Sequence, residues 1–199
     1  MMNHLKSKIL LLIVLFVGIN SIFSQEKKGS YDLVVYEIYG DLNKDNLPDM
    51  VIVRENTSDK RRPNLLEIFF QTKNGAYQKV LSSTKAVMER FPYGDARTET
   101  VLEDLQIKDG VLIFTNQLMK GNLTHKFRYQ NGEFELIGFS SNTAGAGYLE
   151  SVDYNLSTGE KIEKQSDYET DKVLKLSKTR NKLSVLPRLK DFSPFEFTY

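Results

Sequence analysis

The sequence predicts a mainly β fold: one antiparallel domain, built either as a sandwich or as a strongly curved sheet of hairpins. Three observations point that way. Short runs rich in β-branched and aromatic residues recur along the chain. Gly-containing triplets, most with Asn or Asp, separate many of them: Lys73–Gly75, Lys108–Gly110, Lys120–Asn122, Gln130–Gly132 and Ser157–Gly159. Such triplets suit tight hairpin turns, whose central residues need positive φ. Helical periodicity is scarce, and the one short helix expected lies at Thr84–Arg90, ended by Phe91-Pro92.

In chain order, residues 1–24 read as a signal peptide. His4, Lys6 and Lys8 make a positive start, Ile9–Ile19 is an apolar run of 11 residues, and Ser24 is a small residue at the expected cleavage point. The run is too short for a stable membrane span, so the expectation is an exported chain, periplasmic or extracellular, with no membrane span once the signal is removed. Removal takes Lys6 and Lys8 and leaves 25 basic against 26 acidic residues, a net charge of −1. No strong field therefore points to nucleic acid. The chain has no cysteine, which excludes a disulfide framework, thiol chemistry and a zinc–thiolate site.

Residues 25–170 form the expected antiparallel domain. The strand runs are "YDLVVYEIY", "DMVIV", "LLEIFFQ", "YQKVLSS", "VLIFTNQLM", "LTHKFRYQ", "FELIGFS" and "YLESVDYNL", and with less regular segments they make about ten strands. In Leu123–Gln130 the alternation is clean: Leu123, His125, Phe127 and Tyr129 share one face, as in a half-buried strand. Residues 171–199 differ. Lys172, Lys175, Lys178, Arg180, Lys182, Arg188 and Lys190 make this stretch basic. It suits solvated strands with lysine-protected edges, or a groove for an acidic partner.

The segment with chemistry in it is "GDLNKDNLPDMVIV", Gly40–Val53. Counting from Asp41, the side chains of Asp41, Asn43, Asp45 and Asp49 occupy positions 1, 3, 5 and 9, and Leu47 at position 7 offers a backbone carbonyl. Odd-numbered oxygens converge when the backbone coils tightly around a point, and calcium takes six to eight oxygen ligands. Position 6 then needs a left-handed turn. Asn46 stands there, and asparagine tolerates that conformation best after glycine. An EF-hand is excluded: position 12 is Ile52 rather than Glu, and strands flank the loop. A metal-free turn has a similar composition, since Asp and Asn cap their own backbone. Three carboxylates facing one point repel one another, however, and that favours a cation.

The arrangement strand–DxNxDNxPD–strand resembles the calcium loop of FG-GAP and VCBS-type repeats, through Gly40, Asp41, Asn43, Asp45, Leu47, Pro48, Asp49 and the apolar run that follows; it departs from them at Asn46, where those loops have glycine. The loop occurs once, and a complete β-propeller needs at least four similar blades, so the chain is not one. A longer and weaker likeness runs to small exported bacterial proteins with a single such loop. The resemblance implies Ca2+ held by Asp41, Asn43, Asp45, Leu47 and Asp49 in a structural role, in a non-enzymatic module that binds a protein or a glycan.

The alternative expectation is a metal- or carboxylate-dependent hydrolase acting on a glycan or phosphate, drawing on Asp95, Glu99, Glu103 and His125. Nothing in the sequence fixes the separation of those groups, and such chemistry depends on it. His125, the single histidine left after cleavage, shares its face with Leu123 and Phe127, which suits a core histidine. "FPYGDART", Phe91–Thr98, gathers Tyr93, Asp95 and Arg97 in a loop. "NTAGAGY" is glycine-rich but opens no helix, so it is not a phosphate loop.

Overall fold

A computed structural model describes residues 31–92 and 101–194. Among them eleven strands form two antiparallel sheets, neither closed into a barrel. β1 (Leu33–Gly40), β2 (Asp49–Glu55), β3 (Asn64–Gln71) and β4 (Tyr77–Ser83) make the smaller sheet in sequence order. The larger sheet runs in the same simple meander through β5 (Leu102–Lys108), β6 (Val111–Leu118), β7 (Gly121–Gln130), β8 (Glu133–Ala144), β9 (Tyr148–Asn155), β10 (Glu160–Asp167) and β11 (Val173–Arg180). The expected antiparallel β domain is therefore a sandwich. No helix among the described residues is long and apolar enough to cross a membrane. The segment read as a signal peptide lies outside the described residues.

Side-chain alternation explains the sandwich. Val51 and Val53 of β2 stand opposite Ile68 and Leu66 of β3, and all four are fully buried. In the larger sheet Leu112 and Phe114, Leu123 and Phe127, and Leu136 and Phe139 present the same kind of face. These residues belong to one continuous apolar cluster that draws on both sheets. Each fully buried side chain of this size contributes roughly 1.5–3 kcal/mol. Most of the turn triplets fall at the junctions between strands as expected, while Gly121 and Asn122 of Lys120–Asn122 already belong to β7. Asp109-Gly110 and Asn131-Gly132 have positive φ at both residues (53° and 73°, 54° and 79°), the geometry that follows the twist of the flanking strands.

Three features differ from the sequence expectation. Thr84–Arg90 forms no helix. The Ser83 hydroxyl accepts the N–H groups of Lys85 and Ala86, a local turn that competes with helical bonding. Farther along, Arg90 and Phe91 donate their N–H groups to the Arg62 and Arg61 carbonyls. Second, β10 is a strand despite its polar sequence "EKIEKQSD", because it pairs along its whole length with β9.

Third, part of the basic C-terminal stretch is core. A 3-10 turn at Leu189–Asp191 carries Leu189, and Phe192 follows it; both are fully buried. The segment docks on β8, where Leu136 donates its N–H to the Pro187 carbonyl at 2.8 Å. The Phe192 ring lies 4.9 Å from Phe127 and 4.8 Å from His125, edge-on to both.

Candidate functional site

The Asp-rich loop joins β1 to β2, and three features fix its place. Leu42 is fully buried in the core and anchors the loop's start. Gly40 lies so close to Ile107 of β5 that a Cβ there would sit 2.6 Å from Ile107 Cγ2. The Tyr77 hydroxyl of β4 donates to the Pro48 carbonyl at 3.1 Å. A hollow of about 370 Å³, lined by Gly40, Asp41, Lys44, Ile107, Asp109 and Gly110, separates the loop from the β5–β6 turn.

Within the loop the side chains organise the backbone. Asp41 Oδ1 accepts the N–H of Lys44 (2.6 Å) and of Asp45 (3.1 Å), and its Oδ2 accepts that of Asn46 (2.9 Å). Asn43 Oδ1 accepts the Asp45 N–H at 3.0 Å, and Asp45 Oδ1 accepts the Leu47 N–H at 2.8 Å. The Asn43 amide donates to Asp45 Oδ2 at 3.1 Å. Lys44 and Asn46 are both left-handed, with φ of 67° and 66°. Asn46 thus adopts the conformation that position 6 requires.

Asp49 is placed differently from the other three. It belongs to the alternating set Asp49, Val51, Val53 and Glu55 on the core face of β2, and it is fully buried. Its Oδ2 accepts the N–H groups of Leu42 (2.8 Å) and Asn43 (3.3 Å), and its Oδ1 accepts that of Gln71 (3.1 Å). One carboxylate thereby ties both ends of the loop to β3. Burial pushes the Asp49 carboxyl above its ordinary value, against the opposing pull of the three N–H donors. Asp41 and Asn43 are half-buried, as is Leu47, while Asp45 is exposed.

Among the described residues no three Asp, Glu, His or Cys side chains come together as a metal-holding group. Asp49 is held by backbone donors from Leu42, Asn43 and Gln71, while Asp41 and Asp45 accept N–H groups within the loop. The donor set is still made only of oxygens, the kind hard cations take. A carboxylate offers about four lone-pair sites, and the bonds above leave at least one open on each of Asp41, Asp45 and Asp49. By donor type and backbone conformation, the residues that would hold a cation are Asp41, Asn43, Asp45, the Leu47 carbonyl and Asp49.

Of the residues considered for hydrolysis, the two that are described differ in setting, His125 in the core and Glu103 at the surface. His125 is fully buried, its ring 5.1 Å from Phe139 and 4.8 Å from Phe192. Glu103 sits on an exposed irregularity of β5, and its backbone carbonyl accepts the Tyr36 hydroxyl at 2.9 Å. Asp95, Glu99 and the loop residues Tyr93–Thr98 lie outside the described residues.

One buried ionic cluster was not foreseen from sequence. Glu55, on the same inward face as Asp49, is nearly fully buried and pairs with Arg62 (3.0 Å) and Arg90 (3.4 Å). Both guanidinium groups also lie over the Phe91 ring, at 5.9 and 5.5 Å. The inward parity of Glu55 in β2 was the signal that could have revealed it. No family model matches the chain, and no curated protein or solved structure shows significant similarity to it.

Proposed function

We propose that the chain is an exported, non-enzymatic binding module in which the Asp41–Asp49 loop is a structural calcium loop of the FG-GAP/VCBS kind, stiffening the β1–β2 hairpin. The observation that carries this reading is Asn46. Its left-handed backbone directs its N–H onto Asp41 Oδ2, the coil that a 1-3-5 oxygen loop needs. The loop is tied to β3 through Asp49 and to β4 through Tyr77, so a cation there would restrain one end of the smaller sheet. A cation bound only by the folded chain adds its binding free energy to stability. The partner is a protein or a glycan. Thermal melting in calcium and in chelator, with Asp45→Ala as the variant, tests the loop: calcium should raise the midpoint of the parent chain and leave the variant unmoved.

A further inference from the structure

The last strand of the larger sheet has a single neighbour. β11 pairs with β10 from Glu160↔Arg180 to Ser166↔Val173, and among the described residues no strand lies on its other side. The register shows which backbone groups stay open. Asn181 donates its N–H to the Gly159 carbonyl at 2.8 Å, one step beyond the Glu160↔Arg180 pair. Hydrogen-bonded pairs alternate along an antiparallel ladder, so Thr179, Ser177 and Lys175 bond to β10. The N–H and C=O groups of Arg180, Lys178 and Leu176 face the open edge.

Edge strands are ordinarily blunted by charge, and lysine is the commonest device. β11 has that device: Lys172, Lys175, Lys178 and Arg180 stand in a stretch with no acidic residue. Yet the same strand also exposes Val173, Leu174 and Leu176, at 48%, 56% and 58%. Leu149 of β9 and Tyr168 of the β10–β11 turn add exposed apolar surface at the same end. Charge alone would protect this edge, and the exposed aliphatic groups go beyond what protection requires. Open backbone groups, aliphatic side chains and an unbroken positive charge are together what strand addition uses.

We infer that the open edge of β11 is a docking site for an extended polypeptide segment carrying both acidic and aliphatic residues, added as the next strand of the larger sheet. The backbone edge selects an extended chain, the four cations select acidic side chains, and Val173, Leu174 and Leu176 select aliphatic ones. A second copy of this chain fits less well, since β11 against β11 would set cations beside cations with no acid to balance them. The Asp41–Asp49 loop belongs to the other sheet, so this inference stands whether or not that loop takes a cation.

The test uses a labelled peptide as long as β11, 8 residues, alternating glutamate and valine, titrated with the full mature chain by fluorescence anisotropy. Saturable binding is expected. It should weaken by about tenfold or more in a Lys175→Glu, Lys178→Glu double variant, whose thermal midpoint should match the parent's because both side chains are exposed. N-methylation of the peptide at alternate residues should abolish binding in one parity and spare it in the other. Absence of binding, or equal tolerance of N-methylation in both parities, would overturn the inference. So would self-association of the chain through β11, seen by sedimentation and blocked by the double variant.

Discussion

Asp49→Ala is the substitution most sharply constrained by the structure. It removes the acceptor of three backbone N–H groups, those of Leu42, Asn43 and Gln71. A buried donor left unsatisfied costs about 1–3 kcal/mol. Leu42 is fully buried, so its N–H has no route to water; Asn43 and Gln71 are half-buried, and solvent replaces part of what they lose. Against this, the variant removes a carboxylate whose burial disfavours ionisation, which returns some stability at neutral pH. The net loss expected in the absence of calcium is about 3 kcal/mol. Asp49→Asn should cost less, about 1–2 kcal/mol, because one oxygen remains while the amide faces N–H groups it cannot accept from. Urea unfolding followed by far-UV circular dichroism measures both. A loss below about 1 kcal/mol for Asp49→Ala, at unchanged slope, would refute the assignment of Asp49 as the clamp between loop and β3.

Further outcomes follow from the same geometry. Phe192→Ala should cost about 3–5 kcal/mol in urea unfolding, the usual range for a fully buried phenylalanine, since its ring packs on Phe127 and His125; a surface-like loss would place the C-terminal segment outside the core. Asn46→Val should cost about 1–2 kcal/mol, because a β-branched side chain resists the left-handed backbone at φ 66°, whereas Asn46→Gly should leave stability within about 1 kcal/mol of the parent by the same measurement. The Glu133 carboxyl is held below its ordinary value of 4.5, first by the Lys190 ammonium that donates to it and then by Arg188. A depressed folded-state value means its contribution is present above about pH 4.5 and is lost as pH falls through the lower folded value. The gap in urea midpoint between the parent and Glu133→Gln should therefore close with acidification, and a gap unchanged with pH would refute the linkage.

Much of the fold was legible because local chemistry and burial agreed. Asn131-Gly132 and Asp109-Gly110 can take two successive positive φ values, and they mark their hairpins from sequence. Leu123, His125 and Phe127 showed which face of β7 is buried. β10 was not legible, because "EKIEKQSD" has no apolar face and the strand exists through its ladder to β9. Leu189 and Phe192 were concealed by the basic composition around them, although one buried ring is enough to fasten a charged segment to a core. In the loop, ligand counting grouped Asp49 with Asp41 and Asp45, yet period-2 alternation in β2 already set Asp49 beside Val51, Val53 and Glu55 on the inward face. That alternation also carried the clue to the Glu55 cluster, while the cations that complete it come from turns whose approach no local pattern records.

The most direct test of the structural-calcium reading is isothermal titration of the purified chain with Ca2+, in parallel with Asp45→Ala. Asp45 suits this purpose because its side chain is exposed and its bonds are local to the loop, so its removal spares the fold. A structural calcium loop predicts one site with a dissociation constant of roughly 0.1–1 mM, the range of extracellular modules, and no binding heat in the variant. Equal heats from the parent and Asp45→Ala, or none from either at millimolar calcium, would contradict it and leave the loop a self-capped turn.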